Sequence, residues 1–101
     1  MNIYDMLKGF KNMQRGFEEV KEALRSRKEL IESDGVELLF NGLGEVVDID
    51  IKDEKLKGDW EKLRLVLIDL INRAQDRSRD MLREELSRKF GGFVGGSGFG
   101  F

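Results

Sequence analysis

The sequence predicts an α+β protomer in the order α-β-β-β-α, with a three-stranded antiparallel sheet and two long helices projecting beyond it. Three observations predict it. Apolar residues recur at alternating spacings of three and four from Ile3 to Leu24. Between Lys28 and Lys52 the apolar period shortens to two, punctuated by Asp34-Gly35 and Asn41-Gly42. A helical pattern resumes at Trp60 and continues to about Lys89. Glycine-rich sequence after Phe90 then divides the 101 residues into one domain, 1–90, and a tail, 91–101.

The first helix carries Ile3, Met6, Phe10, Met13, Phe17, Val20 and Leu24 as the a/d seam of an amphipathic helix that needs a partner. Asn2 is its expected N-cap, with Asp5 at the third helical position. Gly9, Gly16 and Ala23 flank the seam at intervals of seven. They either admit a close backbone or merely soften the helix, at about 1 kcal/mol per glycine. Away from the seam the outward positions begin basic with Lys8, Lys11 and Arg15, turn acidic at Glu18, Glu19 and Glu22, and end with Arg25, Arg27 and Lys28 at the negative end of the helix dipole. Lys8, Lys11 and Arg15 form either a phosphate-contacting face or an ordinary solvated one.

Three strands follow. Lys28–Ser33 leads into the two-residue turn Asp34-Gly35. Val36, Leu38 and Phe40 then share one face, and Asn41-Gly42 turns the chain into Glu45–Ile51, where Val47, Ile49 and Ile51 face one way and Val46, Asp48 and Asp50 the other. Alternation therefore leaves Leu39 and Val46 as a small apolar patch among acids on the far face, either covered by a second copy or its helix or simply ordinary exposed apolar surface.

Asp59 is placed to cap the second helix. Its first half is apolar over a wide arc (Trp60, Leu63, Leu65, Val66, Leu67, Ile68, Leu70, Ile71, Ala74), which predicts burial on most sides. Beyond Ala74 the stripe narrows to Ser78, Met81, Leu82 and Leu86 among many charges, which predicts that this half leaves the core. Asp69 with Arg73, Glu84 with Arg88 and Glu85 with Lys89 are acid-first i,i+4 pairs. Arg77, Arg79 and Arg83 have fewer such partners and are the better candidates for phosphate contact.

Helix length sets the assembly. At 1.5 Å per residue the second helix measures about 45 Å and the first over 30 Å, against a radius of gyration of about 13 Å for a compact 100-residue domain. Both must extend past the sheet and pair with each other or with a second protomer, most simply in a symmetric homodimer. Phe10, Met13, Phe17, Leu39, Val46 and Leu82 are the residues expected at such helix and dimer contacts. The tail, with six glycines in eleven residues, is expected to be flexible, its Phe93, Phe99 and Phe101 following no period.

Composition narrows the chemistry. Charged residues are 38% of the chain, and proline, cysteine and histidine are absent. Thiol nucleophiles, cysteine zinc sites and the usual imidazole base are thereby excluded, and no carboxylate pair with activating neighbours stands out, so no enzyme and no cofactor are expected. Asp48, Asp50, Asp53 and Glu54 do not form a calcium loop, because Lys52 occupies a ligand position and no glycine follows. Gly42-Leu43-Gly44 lacks the third glycine of a dinucleotide fingerprint and leads into a strand. With no apolar run of about 20 residues and no signal-peptide layout, a soluble cytoplasmic protein is expected. The net charge of −2 conceals an asymmetry. Residues 1–28 carry seven Lys/Arg and four Asp/Glu, 29–59 three and ten, and 60–101 eight and six, a layout suited to a polyanion meeting the ends and avoiding the middle.

The order of these elements, with the strand pair Phe40-Asn41-Gly42-Leu43-Gly44-Glu45-Val46-Val47-Asp48-Ile49-Asp50-Ile51, Leu70-Ile71-Asn72-Arg73-Ala74 inside a long helix and a glycine-rich tail, resembles the YbaB/EbfC family of bacterial nucleoid-associated proteins. Two places depart from the family pattern: Asp50-Ile51 stands where Asp-Pro commonly ends the third strand, and the connection at Ser33-Asp34-Gly35 is shorter. The resemblance implies an intertwined homodimer with tweezer-like helical arms and a nucleoid-associated role in binding double-stranded DNA. On that reading Lys8, Lys11, Arg15, Arg25, Arg77, Arg79 and Arg83 meet phosphates. The rival reading is a helical-arm adaptor for a replication or repair protein, with little direct DNA binding.

Overall fold

In the computed structural model, residues 2–91 are described; the expectation of a flexible tail at 91–101 falls, apart from Gly91, on residues outside that range. Helix α1 spans Ile3–Ser26, β1 Lys28–Ser33, β2 Val36–Asn41, β3 Val46–Ile51 and α2 Trp60–Phe90, with a 3-10 turn at Glu54–Gly58. The α-β-β-β-α order holds, and the sheet is antiparallel in the order β1-β2-β3. The caps follow the sequence: Asn2 Oδ1 accepts from the Asp5 amide at 2.9 Å and Asp59 Oδ1 from the Lys62 amide at 3.1 Å. Asp34 and Gly35, with φ of 49° and 81°, make the tight hairpin turn.

Val36, Leu38 and Phe40 are completely buried on the inner face of β2, beneath the α2 stripe of Leu63, Val66, Leu70 and Ala74. Leu56 of the 3-10 turn joins the same core. Helix α2 packs over β1 and β2. Val47 and Ile49 of β3 remain 45% and 40% exposed.

Three expectations are corrected. The first half of α2 is not buried on most sides: Trp60, Leu65 and Ile68 are exposed, because one three-stranded sheet covers only one stripe of the helix. Its second half does not leave the core. Ser78, Met81, Glu85 and Leu86 are buried, and the last turns of α2 run antiparallel to the C-terminal half of α1, with Phe90 against Gly16 and Arg27 against Glu84 and Glu85. The element that projects is the first half of α1, and the described chain accordingly measures 66 × 23 × 18 Å with a radius of gyration of 18.7 Å. Finally, a register shift at Leu39/Phe40 sets Val46 opposite Phe40, whereas strict alternation places it on the Leu39 face.

The Asn41-Gly42 turn is wider than a two-residue hairpin. Its positive φ belongs to Gly44, at 80°. Gly42 is required for space: its N–H donates to the Leu24 and Arg27 carbonyls at 2.8 and 3.0 Å. A Cβ there would lie 2.7 Å from Leu24 Cδ2 and 2.9 Å from the Leu24 carbonyl oxygen. Gly42→Ala is therefore expected to cost about 1–3 kcal/mol by overpacking. Gly9→Ala, with nothing within 4 Å, is expected to stabilise by about 0.5–1 kcal/mol. Urea denaturation of the two variants checks both signs, and an unchanged midpoint for Gly42→Ala would contradict the close packing.

Candidate nucleic-acid interface

The projecting half of α1 has two faces. Lys8, Lys11 and Arg15, spaced three and four apart, lie on one stripe about 160° around the helix from the centre of the apolar seam, at 100° per residue. All three are exposed, and among the described residues none of them is in an ion pair. Tyr4, 83% exposed, extends the stripe by one turn. The spacing 4, 8, 11, 15 marks it in the sequence once the stripe, and not charge alone, is followed.

The other expected contacts are differently placed. Arg77 is partly buried and engages Glu29 of β1 with two nitrogens, both at 2.9 Å, and Glu84 at 3.3 Å. Its guanidinium is committed to holding α2 on the sheet. Arg25 pairs with Glu22, Arg79 with Asp76, and Arg83 with Asp80 at 3.0 Å. These are i,i+3 partners, which a search for acids four residues earlier overlooks. Arg79 and Arg83 still face outward, and exposed pairs worth about 0–1 kcal/mol are readily exchanged for phosphate. They do not join the α1 stripe in one patch: Phe90 ends α2 at the level of Gly16, so Lys11 lies about 18 Å farther along the arm than Arg83.

The expected i,i+4 pairs are also partly replaced. Arg73 does meet Asp69 at 3.3 Å. Glu84 instead turns to Arg27 at 2.8 Å and to Arg77, Glu85 to Arg27 at 3.2 Å and Arg88 at 3.0 Å, and Lys89 to Glu19 of α1. The chain Glu29, Arg77, Glu84, Arg27, Glu85 thus ties β1, α2 and the end of α1 together, with the Glu85 carboxylate buried between two guanidiniums. Hydrogen bonding to Arg77 holds the Glu29 carboxyl below its ordinary range, and Arg27 followed by Arg77 does the same for Glu84.

Across the sheet, Glu32 stands opposite Glu37 and Glu37 opposite Asp50, on the face shared with Leu30 and Leu39. Lys52 answers two of them, at 2.9 Å to Glu37 and 3.5 Å to Asp50. Such a face repels a polyanion. Among the described residues no group of three or more carboxylates is arranged to hold a metal, and no helix is long and apolar enough to cross a membrane.

Of the expected packing residues, Phe17 stacks obliquely on Phe90 of the same chain, with centroids 5.3 Å apart and planes at 53°. Leu82 is half-buried against the same core. Leu39 is half-buried, and Phe10, Met13 and Val46 are exposed. A shallow apolar groove runs along the uncovered flank of α2, lined by Trp60, Arg64, Leu67, Ile68 and Ile71.

Residues 1–93 match the model of the YbaB/EbfC DNA-binding family. A nucleoid-associated protein of Sulfurihydrogenibium sp. is 28% identical over 93 residues, which cover 89% of this chain and 84% of that protein. One from Pelotomaculum thermopropionicum is 31% identical over 93 residues, 89% of each chain. The crystal structure of an uncharacterized protein from Helicobacter pylori superposes with a TM-score of 0.75 at 25% identity, covering 89% of this chain and 97% of that one.

The ion-pair chain sets an acid limit. Because the Glu29 and Glu84 carboxyls are lowered in the folded state, their stabilisation is complete above the unfolded carboxylate value of about 4.3 and is lost as pH falls through the folded values. Thermal midpoints are expected to hold from about pH 7 to 5 and fall below about pH 4. Arg77→Gln should lower the plateau and make the acid fall shallower, and parallel melting curves for the two proteins across this range would contradict the assignment.

Proposed function

The chain belongs to the YbaB/EbfC DNA-binding family, and on that premise we propose that it is a nucleoid-associated protein whose homodimer binds duplex DNA through phosphate contacts from its helical arms. The observation that carries this reading is the stripe of Lys8, Lys11 and Arg15, exposed and without ion-pair partners among the described residues. Free cations on a projecting helix neutralise phosphates and release counterions without breaking bonds inside the protein. Arg79, Arg83 and Arg25 add contacts nearer the body by exchanging a neighbouring carboxylate for phosphate. Arg77 takes no part in this binding, since its role is to anchor α2. The acidic sheet face keeps the duplex on the arms. Phosphate contacts of this kind position a protein without reading bases, so sequence preference is weak.

The dimer is supported by apolar surface that one protomer leaves uncovered. The α2 flank at Trp60, Leu67, Ile68 and Ile71 and the residues Val46, Val47 and Ile49 of β3 are apolar and wholly or partly exposed, and a self-complementary contact across a two-fold axis removes them from water. Phe10 and Met13 lie outside this region, on the arm.

Fluorescence anisotropy with a 30-base-pair duplex at several salt concentrations tests the mechanism. Six contacts per dimer give a slope of log affinity on log salt of about −5. Changing Lys8, Lys11 and Arg15 together to Glu should weaken binding at least ~10-fold and flatten that slope, with helicity by circular dichroism unchanged. A slope near zero in the parent protein would reject the mechanism in favour of an adaptor that reaches DNA through another protein. In light scattering, the parent is expected at twice its 11.7 kDa, and Trp60→Glu with Ile71→Glu at the monomer mass.

A further inference from the structure

One aromatic residue on the basic stripe of α1 has no use in the fold. Tyr4 is 83% exposed and lies, at about 100° per residue, within about 15° of the mean direction of Lys8, Lys11 and Arg15. The apolar seam is on the other side of the helix, so the ring takes no part in helix packing. Among the described residues no hydrogen bond engages its hydroxyl. Asp5 is the only acid among residues 2–17, and toward the body the same face turns acidic at the exposed Glu18 and Glu22. A nucleic-acid strand that follows the stripe is therefore drawn to its distal end, where the ring stands.

Spacing selects the kind of strand. Along the helix axis Tyr4 to Lys8 is about 6 Å, Lys8 to Lys11 about 4.5 Å and Lys11 to Arg15 about 6 Å. One strand of a duplex carries a phosphate about every 3.4 Å. A strand that gives one phosphate to each of these cations is drawn out relative to duplex, which parts its bases and frees a face for an aromatic ring. Resting on the phosphate-binding stripe proposed above, we propose that Tyr4, Lys8 and Lys11 form a subsite at the arm tip for unpaired nucleic acid. A base stacks on the Tyr4 ring while neighbouring phosphates bind the two lysines. Stacking of this kind tolerates any base, in keeping with contacts that do not read sequence.

Fluorescence anisotropy of the full chain with oligothymidylate and with a duplex, for the parent, Tyr4→Leu and Tyr4→Phe, tests the subsite. Tyr4→Leu is expected to weaken single-strand binding about five-fold or more and duplex binding less than about two-fold. Tyr4→Phe keeps the ring and is expected to stay within about two-fold of the parent on both. Single-strand affinity unchanged in Tyr4→Leu overturns the proposal, as does an equal loss on both DNAs. Equal loss in Tyr4→Phe overturns it too, by making the hydroxyl the contact. A parent that binds neither DNA removes the phosphate stripe together with the subsite. A parent that binds duplex with its salt slope, but single strand independently of Tyr4, removes the subsite alone.

Discussion

The corner at Asn41-Gly42 is the constraint on which the rest of the structure depends. Asn41 is 3% exposed. Its Oδ1 accepts from the Leu43 and Glu45 amides, its Nδ2 donates to Glu45, and its carbonyl accepts from Ser78 Oγ of α2. Gly42 donates to the carbonyls that end α1. One turn therefore fixes the end of α1, the β2–β3 connection and a buried hydroxyl in the middle of α2. Each hydrogen bond contributes only about 0.5–1.5 kcal/mol net, but a buried group left unpaired costs more, about 1–3 kcal/mol. The residues that make the sequence resemble its family are thus architectural ones. Those at the corner join α1 to the sheet and to α2.

How much of this was legible in the sequence follows the range of each interaction. Caps, strand bounds and the Asp34-Gly35 turn are set by residues within a few positions of one another, and they appear where expected. The direction in which α2 departs from the core was not legible, because periodicity marks a stripe without saying what covers it. Both halves of α2 carry a stripe; the sheet takes one and α1 the other. Arg77 illustrates the same limit for the site. Its partner Glu29 is 48 positions away, so its lack of an acid four residues earlier read as availability. Gly42 looked like a turn glycine and proved to be a contact glycine, a distinction that only the proximity of Leu24 makes.

Net charge is a poor guide here for a related reason. Arg27 and Arg77 are engaged by carboxylates of other elements of the protomer, and Arg25, Arg79, Arg83 and Arg88 by neighbours on their own helices. The cations without such partners on the arm are few, but they are grouped by helical geometry. A protein of net charge −2 can therefore present a concentrated positive stripe and, with its sheet, a negative face.

The projection of α1 has a mechanical consequence. Helix α2 braces α1 as far as Gly16, so about 12 Å of free helix separate that brace from Lys8, and a bend of about 10° there displaces Lys8 by about 2 Å along its arc. That is comparable to the axial spacing of DNA charges, about 1.7 Å. The arm is a short lever braced where Phe90 meets Gly16, and small elastic motions there move its tip by as much as one such spacing.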